Sequence, residues 1–231
     1  GPGFRPQSQL SNGTFWVSID QAALGLGLVV VPLYVDDKPD NIAWCAQHAE
    51  AKLFIADNTL RADTLVTLTG TYALPRIVVL RPEARDAARG VEQFLPLQGR
   101  AFECRELARE TLATICYTSG TSGRPKGVML SHGNIIANVE QCRATALARD
   151  DDVFLSILPL SHMFERTGGY YLPLAIGAKV VYSRGIAQIP EDLVSQSPTS
   201  MVFLPRIVEN FNAKFTYALA ASPFNRELFY H

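Results

Sequence analysis

Short runs rich in β-branched residues alternate along this chain with helical patterns, and that alternation is its strongest constraint on fold. Val29 to Leu33, Leu53 to Ala56, Ile77 to Leu80, Thr114 to Tyr117, Val153 to Leu158, Lys179 to Tyr182 and Ser200 to Leu204 read as strands. Phe15 to Leu26, Pro39 to His48, His132 to Leu147, Phe164 to Leu174 and a short piece near Glu191 read as helices. Pro39 suits a first helical turn, and Ser131 reads as an N-cap. The pattern predicts βαβ units, hence an α/β fold of mostly parallel sheets with flanking helices. Ligands of such sheets bind beyond the carboxyl ends of the strands. The segment 81–99, with its charges, Pro82 and Pro96, is the best candidate for a subdomain joint.

Bulk properties exclude several function classes. A chain of 231 residues makes one or two domains. Its net charge of −1 offers no electrostatic reason to expect nucleic acid. Cys45, Cys104, Cys116 and Cys142 are too widely spaced for a metal or disulfide framework, and each reads as a small buried hydrophobe in a reducing compartment. The opening thirteen residues are polar and turn-rich, unlike a secretory leader. Gly25, Gly27 and Pro32 interrupt the longest apolar stretch, Ala22 to Tyr34, which is too short to cross a bilayer. The expectation is a soluble, cytoplasmic protein, with a peripheral contact to the inner membrane face left open.

The chemistry concentrates in Cys116-Tyr117-Thr118-Ser119-Gly120-Thr121-Ser122-Gly123-Arg124-Pro125-Lys126-Gly127. Four hydroxyls, three glycines and a lysine follow an apolar run and precede the helix near Ser131. A strand, a glycine-rich turn and a helix start suit a polyphosphate: glycines let backbone N–H groups approach, hydroxyls donate and lysine adds charge. The loop is not a Walker A motif, since Pro125 precedes the lysine and has no N–H. A Ser/Thr/Gly run of this kind can also be a flexible linker. A second constellation, Leu158-Pro159-Leu160-Ser161-His162-Met163-Phe164-Glu165-Arg166-Thr167-Gly168-Gly169-Tyr170-Tyr171, ends a buried strand and starts a helix. Read alone, His162 is a hydrogen-bonded structural residue, and Glu165 and Arg166 form a structural salt bridge or helix-start charge. Gly168 to Pro173 line an apolar tunnel or pack the core.

Tyr117 to Val128 closely resembles the phosphate loop of the adenylate-forming superfamily, which includes acyl-CoA synthetases, luciferases and adenylation domains of peptide synthetases. The His162 string resembles the second core motif of its long-chain fatty acyl-CoA synthetases. Asp20 to Tyr34 resembles that family's first helix–strand unit, and Pro198 to Glu209 resembles a strand bordering its acyl pocket. The resemblance implies a luciferase-like fold and AMP-forming ligation of a long-chain fatty acid to coenzyme A, with ATP and magnesium. It implies that Thr118, Ser119, Gly120, Thr121, Ser122, Gly123 and Lys126 hold the phosphates, that Thr118 contacts magnesium, and that Lys126 and His162 serve catalysis. The strands Thr114 to Tyr117 and Val153 to Leu158 are expected to end on the same edge of one sheet, so that His162 lies near the loop where α/β sheets bind ligands. Adenylation of an amino or aryl acid, or a non-catalytic nucleotide- or lipid-binding role, are the alternatives.

Two departures follow from the same comparison. A strand's worth of residues is missing before the helix near Trp16. The family's adenine segment, its magnesium-binding glutamate, its ribose aspartate and its mobile lid have no match up to His231. Residues 1–231 therefore read as an incomplete N-terminal adenylation domain without the C-terminal lid domain, expected to be inactive alone.

Overall fold

A computed structural model of the chain describes residues 6–69, 75–96, 98–99, 101–118, 123–145, 147–205 and 209. Ser119, Gly120, Thr121 and Ser122, in the middle of the phosphate loop, lie outside the described residues, as does the stretch after Glu209.

The first layer is a parallel sheet. β1 (Pro6–Gln9) is followed by helix α1 (Thr14–Gly25), β2 (Val31–Pro32), α2 (Pro39–His48), β3 (Leu53–Asn58), α3 (Thr59–Thr69) and β4 (Arg76–Arg81). The strands lie in the order β2-β1-β3-β4, every pair parallel. The strand that seemed missing is thus present as β1, in the centre of the sheet. It reads Pro-Gln-Ser-Gln, so it carries no apolar run, and Pro6 opens it, where a ladder tolerates proline. Helix α3 also lacked a sequence signal, because it begins directly where β3 ends. Its cap is Asn58, whose Oδ1 accepts from the Arg61 N–H at 3.1 Å.

Residues Ala84–Arg89 form a 3₁₀ turn, and Val91–Phe94 form α4. Buried Asp86 accepts from Thr59 at 2.9 Å and pairs with Arg89, so this segment is fastened to the first layer through α3. An extended stretch, 101–108, then crosses the end of α1, where the Arg105 N–H donates to the Gly25 carbonyl at 2.8 Å.

β5 (Leu112–Thr118) and β6 (Lys126–Ser131) form an antiparallel hairpin. This corrects the expected strand–turn–helix order around the phosphate loop. Helix α5 (His132–Thr145) starts only after β6 has carried the chain back along β5, so its N-terminus does not cap the loop. Ser131 does cap α5: its Oγ accepts from the Asn134 N–H at 3.2 Å, while the Asn134 side chain accepts from the Ser131 N–H at 2.9 Å. At its other edge β5 joins the first layer through Val30, which bridges Thr114 in parallel.

β7 (Val153–Ser156) lies between β8 (Lys179–Tyr182) and β9 (Ser200–Met201) in a parallel sheet of order β8-β7-β9. From β7 to β8 runs one helical stretch: α6 (Met163–Glu165), a π-helical segment (Arg166–Tyr171) and α7 (Leu172–Ile176), ended by Gly177 at φ 81°. A turn at Ile186–Gln188 leads to α8 (Ile189–Gln196) before β9. Among the described residues no helix is long and apolar enough to cross a membrane.

Two apolar cores hold these layers. One joins Val31, Ile42, Phe54, Leu65, Val79 and Ile115; the other joins Trp16, Leu24, Val30, Ala113, Leu160 and Tyr170. β5 contributes to both, with Ile115 on one face and Ala113 on the other. The cysteines divide: Cys45 and Cys116 are buried as expected, but Cys142 is half-buried and Cys104 exposed, because the 101–108 stretch lies on the surface.

Candidate functional site

The ends of five strands meet at one open cleft of about 890 Å³. Asn12 follows β1, Tyr34 follows β2, Thr118 ends β5, His162 follows β7 and Arg184 follows β8, and all five line it. Each is at or beyond a carboxyl end, where parallel strands place their following loops. Asn12 joins two of these loops: its Nδ2 donates to the Leu158 carbonyl at 2.6 Å, and its Oδ1 accepts from the Leu160 N–H at 3.0 Å. Thr118 and His162 therefore converge as the sequence predicts, but not on one sheet. Thr118 ends a strand of the hairpin and His162 follows a strand of the last sheet; the cleft lies between layers.

Both residues are exposed. His162 caps α6, its Nδ1 accepting from the Phe164 N–H at 3.2 Å. That bond assigns the ring proton to Nε2, a donor arrangement suited to orienting an oxygen. Lys126 is exposed and sits directly across the hairpin from Thr118 in the β5–β6 register. Gly123 has φ 84°, a left-handed turn position, and nothing lies within 4 Å of where its Cβ would be. Gly127 is needed for a different reason: a Cβ there would meet Ile115 Cγ2 at 2.8 Å.

The root of the loop is braced by α2. Tyr117 and His48 share a hydrogen bond of 2.7 Å, Trp44 stacks on His48 with ring centroids 4.5 Å apart, and the Arg124 guanidinium lies 6.0 Å from the centre of Trp44. The Tyr117–His48 and Arg124–Trp44 contacts had no sequence signal, because residues 44–48 and 117–124 meet only in three dimensions, whereas Trp44 and His48 are an i,i+4 pair on α2. Burial, reinforced by Asp37, pushes the Cys45 thiol beside the cleft up to about 12, which disfavours the thiolate.

Behind His162 lies a buried ionic cluster. Arg166 is fully buried and pairs with buried Asp20, and its Nη1 donates to Thr114 Oγ1 at 2.9 Å. Tyr170 and Tyr171 donate to Asp20 at 3.1 and 3.0 Å. The guanidinium also lies 5.3 Å from the Trp16 ring centre and 5.4 Å from that of Tyr171. The structural ion pair expected at Glu165-Arg166 thus exists for Arg166, but its partner is Asp20. Helical geometry explains this, since neighbouring positions point to different sides. Glu165 is fully buried, and neither of its carboxyl oxygens has a hydrogen-bond partner of ordinary geometry among the described residues. Burial raises its carboxyl to about 7, opposed by the nearby Ser156 hydroxyl and Ile157 backbone. Gly169 leaves it room, since a Cβ there would fall 2.3 Å from Glu165 Oε1.

Magnesium is the metal that the loop resemblance implies. Among the described residues no group of three His, Cys, Asp or Glu could cage an ion. The Thr118 hydroxyl at the cleft fits the other mode, in which magnesium arrives on a nucleotide, keeps several waters and takes one or two protein oxygens.

A family model described as "AMP-binding enzyme" matches residues 8–228, and the chain belongs to that family of adenylate-forming enzymes. It is 32% identical over 223 residues to long chain acyl-CoA synthetase 7, peroxisomal, of Arabidopsis thaliana, covering 90% of this chain and 31% of that protein. It is 32% identical over 212 residues to human long-chain-fatty-acid–CoA ligase 1, covering 84% of this chain and 30% of the ligase. The chain thus spans about a third of the length of these relatives. Among solved structures, ATP-bound MatB from Rhodopseudomonas palustris superposes with a TM-score of 0.77 at 22% identity, over 90% of this chain and 40% of MatB. A putative long-chain-fatty-acid CoA ligase from the same species gives 0.74 at 20% identity, over 90% and 52%. The expected α/β fold of adenylate-forming enzymes is therefore the observed one.

Proposed function

We propose that the protein carrying this region activates a long-chain fatty acid with ATP and transfers it to coenzyme A. The fatty carboxylate attacks the α-phosphorus of ATP, forming acyl-adenylate and releasing pyrophosphate. The coenzyme A thiol then attacks the acyl carbonyl and displaces AMP. The first step brings a carboxylate to a polyanion, so its demand is for positive charge and oriented donors. Thr118, Gly123 and Lys126, with Ser119, Gly120, Thr121 and Ser122 of the same loop, are assigned to the β- and γ-phosphates. Lys126 supplies a point charge that grows in value as pyrophosphate leaves. Magnesium held by the phosphates and Thr118 would screen the same charge. His162, donating from Nε2, orients the reacting carboxyl oxygen or the phosphate it attacks; its role is positional.

The observation that most supports this reading is the convergence of Thr118 and His162, from different sheets, on one cleft of strand ends. The test is ATP–pyrophosphate exchange driven by palmitate, compared with amino acids and aryl acids. Lys126→Ala is expected to slow palmitate-driven exchange by about ten- to a hundredfold, the loss of one charge-assisted hydrogen bond. An unchanged rate in the folded variant removes Lys126 from the site, and exchange driven only by an amino acid overturns the substrate class.

A further inference from the structure

A second concavity of about 560 Å³ lies away from the cleft and shares no lining residue with it. One complete face of α5 forms a wall: His132, Ile135, Ile136, Val139, Glu140 and Arg143 recur at helical spacing and all line it. Facing them are Leu24 of α1, Leu174 of α7 and the extended stretch carrying Arg105, Leu107 and Arg109. The floor is apolar, and two of its side chains remain open to solvent, Ile136 at 42% and Leu174 at 53%. The charges are one-sided: Arg105, Arg109 and Arg143 against the single carboxylate of Glu140. Among the described residues none of these three guanidiniums has an ion pair or side-chain hydrogen bond, although Glu140 is near. His132 adds a ring Nε2 that is buried and has no hydrogen-bond partner among the described residues.

Apolar walls and a few unpaired guanidiniums in a concavity of this size are the makings of a ligand site. The guanidinium fork matches a carboxylate in two-point contact. The α5 face from His132 to Arg143 extends about 16 Å at the helical rise, room for roughly a dozen methylenes laid along it. We infer that this groove binds the anion of a long-chain fatty acid, its carboxylate on Arg109 beside the unpartnered His132 Nε2 at the N-terminal end of α5, and its chain along Ile135, Ile136, Val139 and Leu174 toward Arg143. This is a holding or regulatory site, separate from the cleft assigned to chemistry, and it stands whether or not that assignment does. A flat anionic membrane surface fits less well, because the apolar residues sit inside a concavity rather than on a projecting face.

The test uses the whole 231-residue chain, with palmitate as probe and hydrogen exchange as the locating readout. Palmitate is expected to protect 132–143 and 101–109. Binding confined to the cleft would instead protect 157–162 and overturn the groove assignment, without touching the proposed reaction. Titration by displacement of a fluorescent fatty acid is expected to show affinity falling about tenfold or more in Arg109→Glu. Arg109→Lys is expected to weaken binding measurably but less than the glutamate variant, since charge is kept while the two-point fork is lost. Ile136→Asp is expected to weaken binding comparably, and both positions are exposed enough to be substituted without unfolding the chain. Equal binding by the glutamate variant, or equal binding of neutral hexadecanol, refutes a carboxylate site. Sedimentation with anionic vesicles in the absence of monomeric palmitate binding refutes it in favour of a membrane surface.

Discussion

The two segments that supply the cleft are built in opposite ways. The hairpin is exposed at Thr118, Gly123, Arg124 and Lys126, the polar and glycine positions on either side of its turn. The helix after His162 is rooted in a fully buried cluster in which one guanidinium serves an aspartate, a threonine and two aromatic rings. His162 itself is exposed, four residues from that root. The contrast teaches that a group meant to touch ligand can be accessible only if its neighbours in sequence are held firmly. On the histidine side a buried ionic network does the holding; on the hairpin side it falls to Tyr117, His48 and the cross-strand ladder.

The sharpest way to break this contrast is Arg166→Met. It leaves Asp20 buried without its cation, and removing one partner of a buried pair costs about 3–5 kcal/mol. Urea denaturation should show that loss, while Lys126→Ala should stay within about 0.5 kcal/mol, as expected of an exposed residue. Comparable effects from the two would mean that the hairpin is as deeply integrated as the helix.

Glu165 gives a pH test of the same root. Its folded value, about 7, lies above the ordinary 4.5. Below 4.5 the carboxyl is protonated folded or unfolded, and its contribution is intact. Between 4.5 and 7 the unfolded chain ionises first, so stability falls as pH rises, and the loss levels off above 7. The span corresponds to about 3 kcal/mol. In Glu165→Gln that pH dependence should vanish, so the stability of the variant relative to wild type should climb from pH 4.5 to 7. Parallel thermal profiles across this range would show that the site is wetter than its burial implies.

Thr114→Val tests the joint between the regions, since Thr114 Oγ1 donates to the Val30 carbonyl at 2.7 Å and accepts from Arg166. Two buried groups lose a partner, and a cost of about 1–3 kcal/mol is expected by chemical denaturation. Gly123→Ala should have a smaller effect than Thr114→Val. The left-handed turn would cost about 1–2 kcal/mol, with no steric clash added. Calorimetry showing a larger loss there than in Thr114→Val would reverse the comparison.

Much of the fold was legible because helices and strands announce themselves by local period. Pro39–His48 and Lys179–Tyr182 have the boundaries that pattern alone assigns them, and Ser131 caps α5 as its residue type suggests. Failures fell where local signals were weak or shared. β1 has no apolar residue to mark it, and α3 follows β3 without a turn. Lys126–Ser131 was overlooked because strand β6 passes directly into α5, so the two read as one approach to a helix.

The ordered string of hydroxyls, glycines and lysine from Thr118 to Gly127, with His162-Met163-Phe164-Glu165-Arg166 beyond it, was enough by itself to identify the family, because motif identity is a property of neighbours along the chain. Partnership is not such a property. That Arg166 answers Asp20 rather than Glu165, that Asn12 ties down the loop before His162, and that five strand ends from separate sheets share one cleft are decided by the tertiary structure alone. The physical reason is distance along the chain: Asp20 and Arg166 are 146 residues apart, and only the closing of both cores brings them within reach of a hydrogen bond.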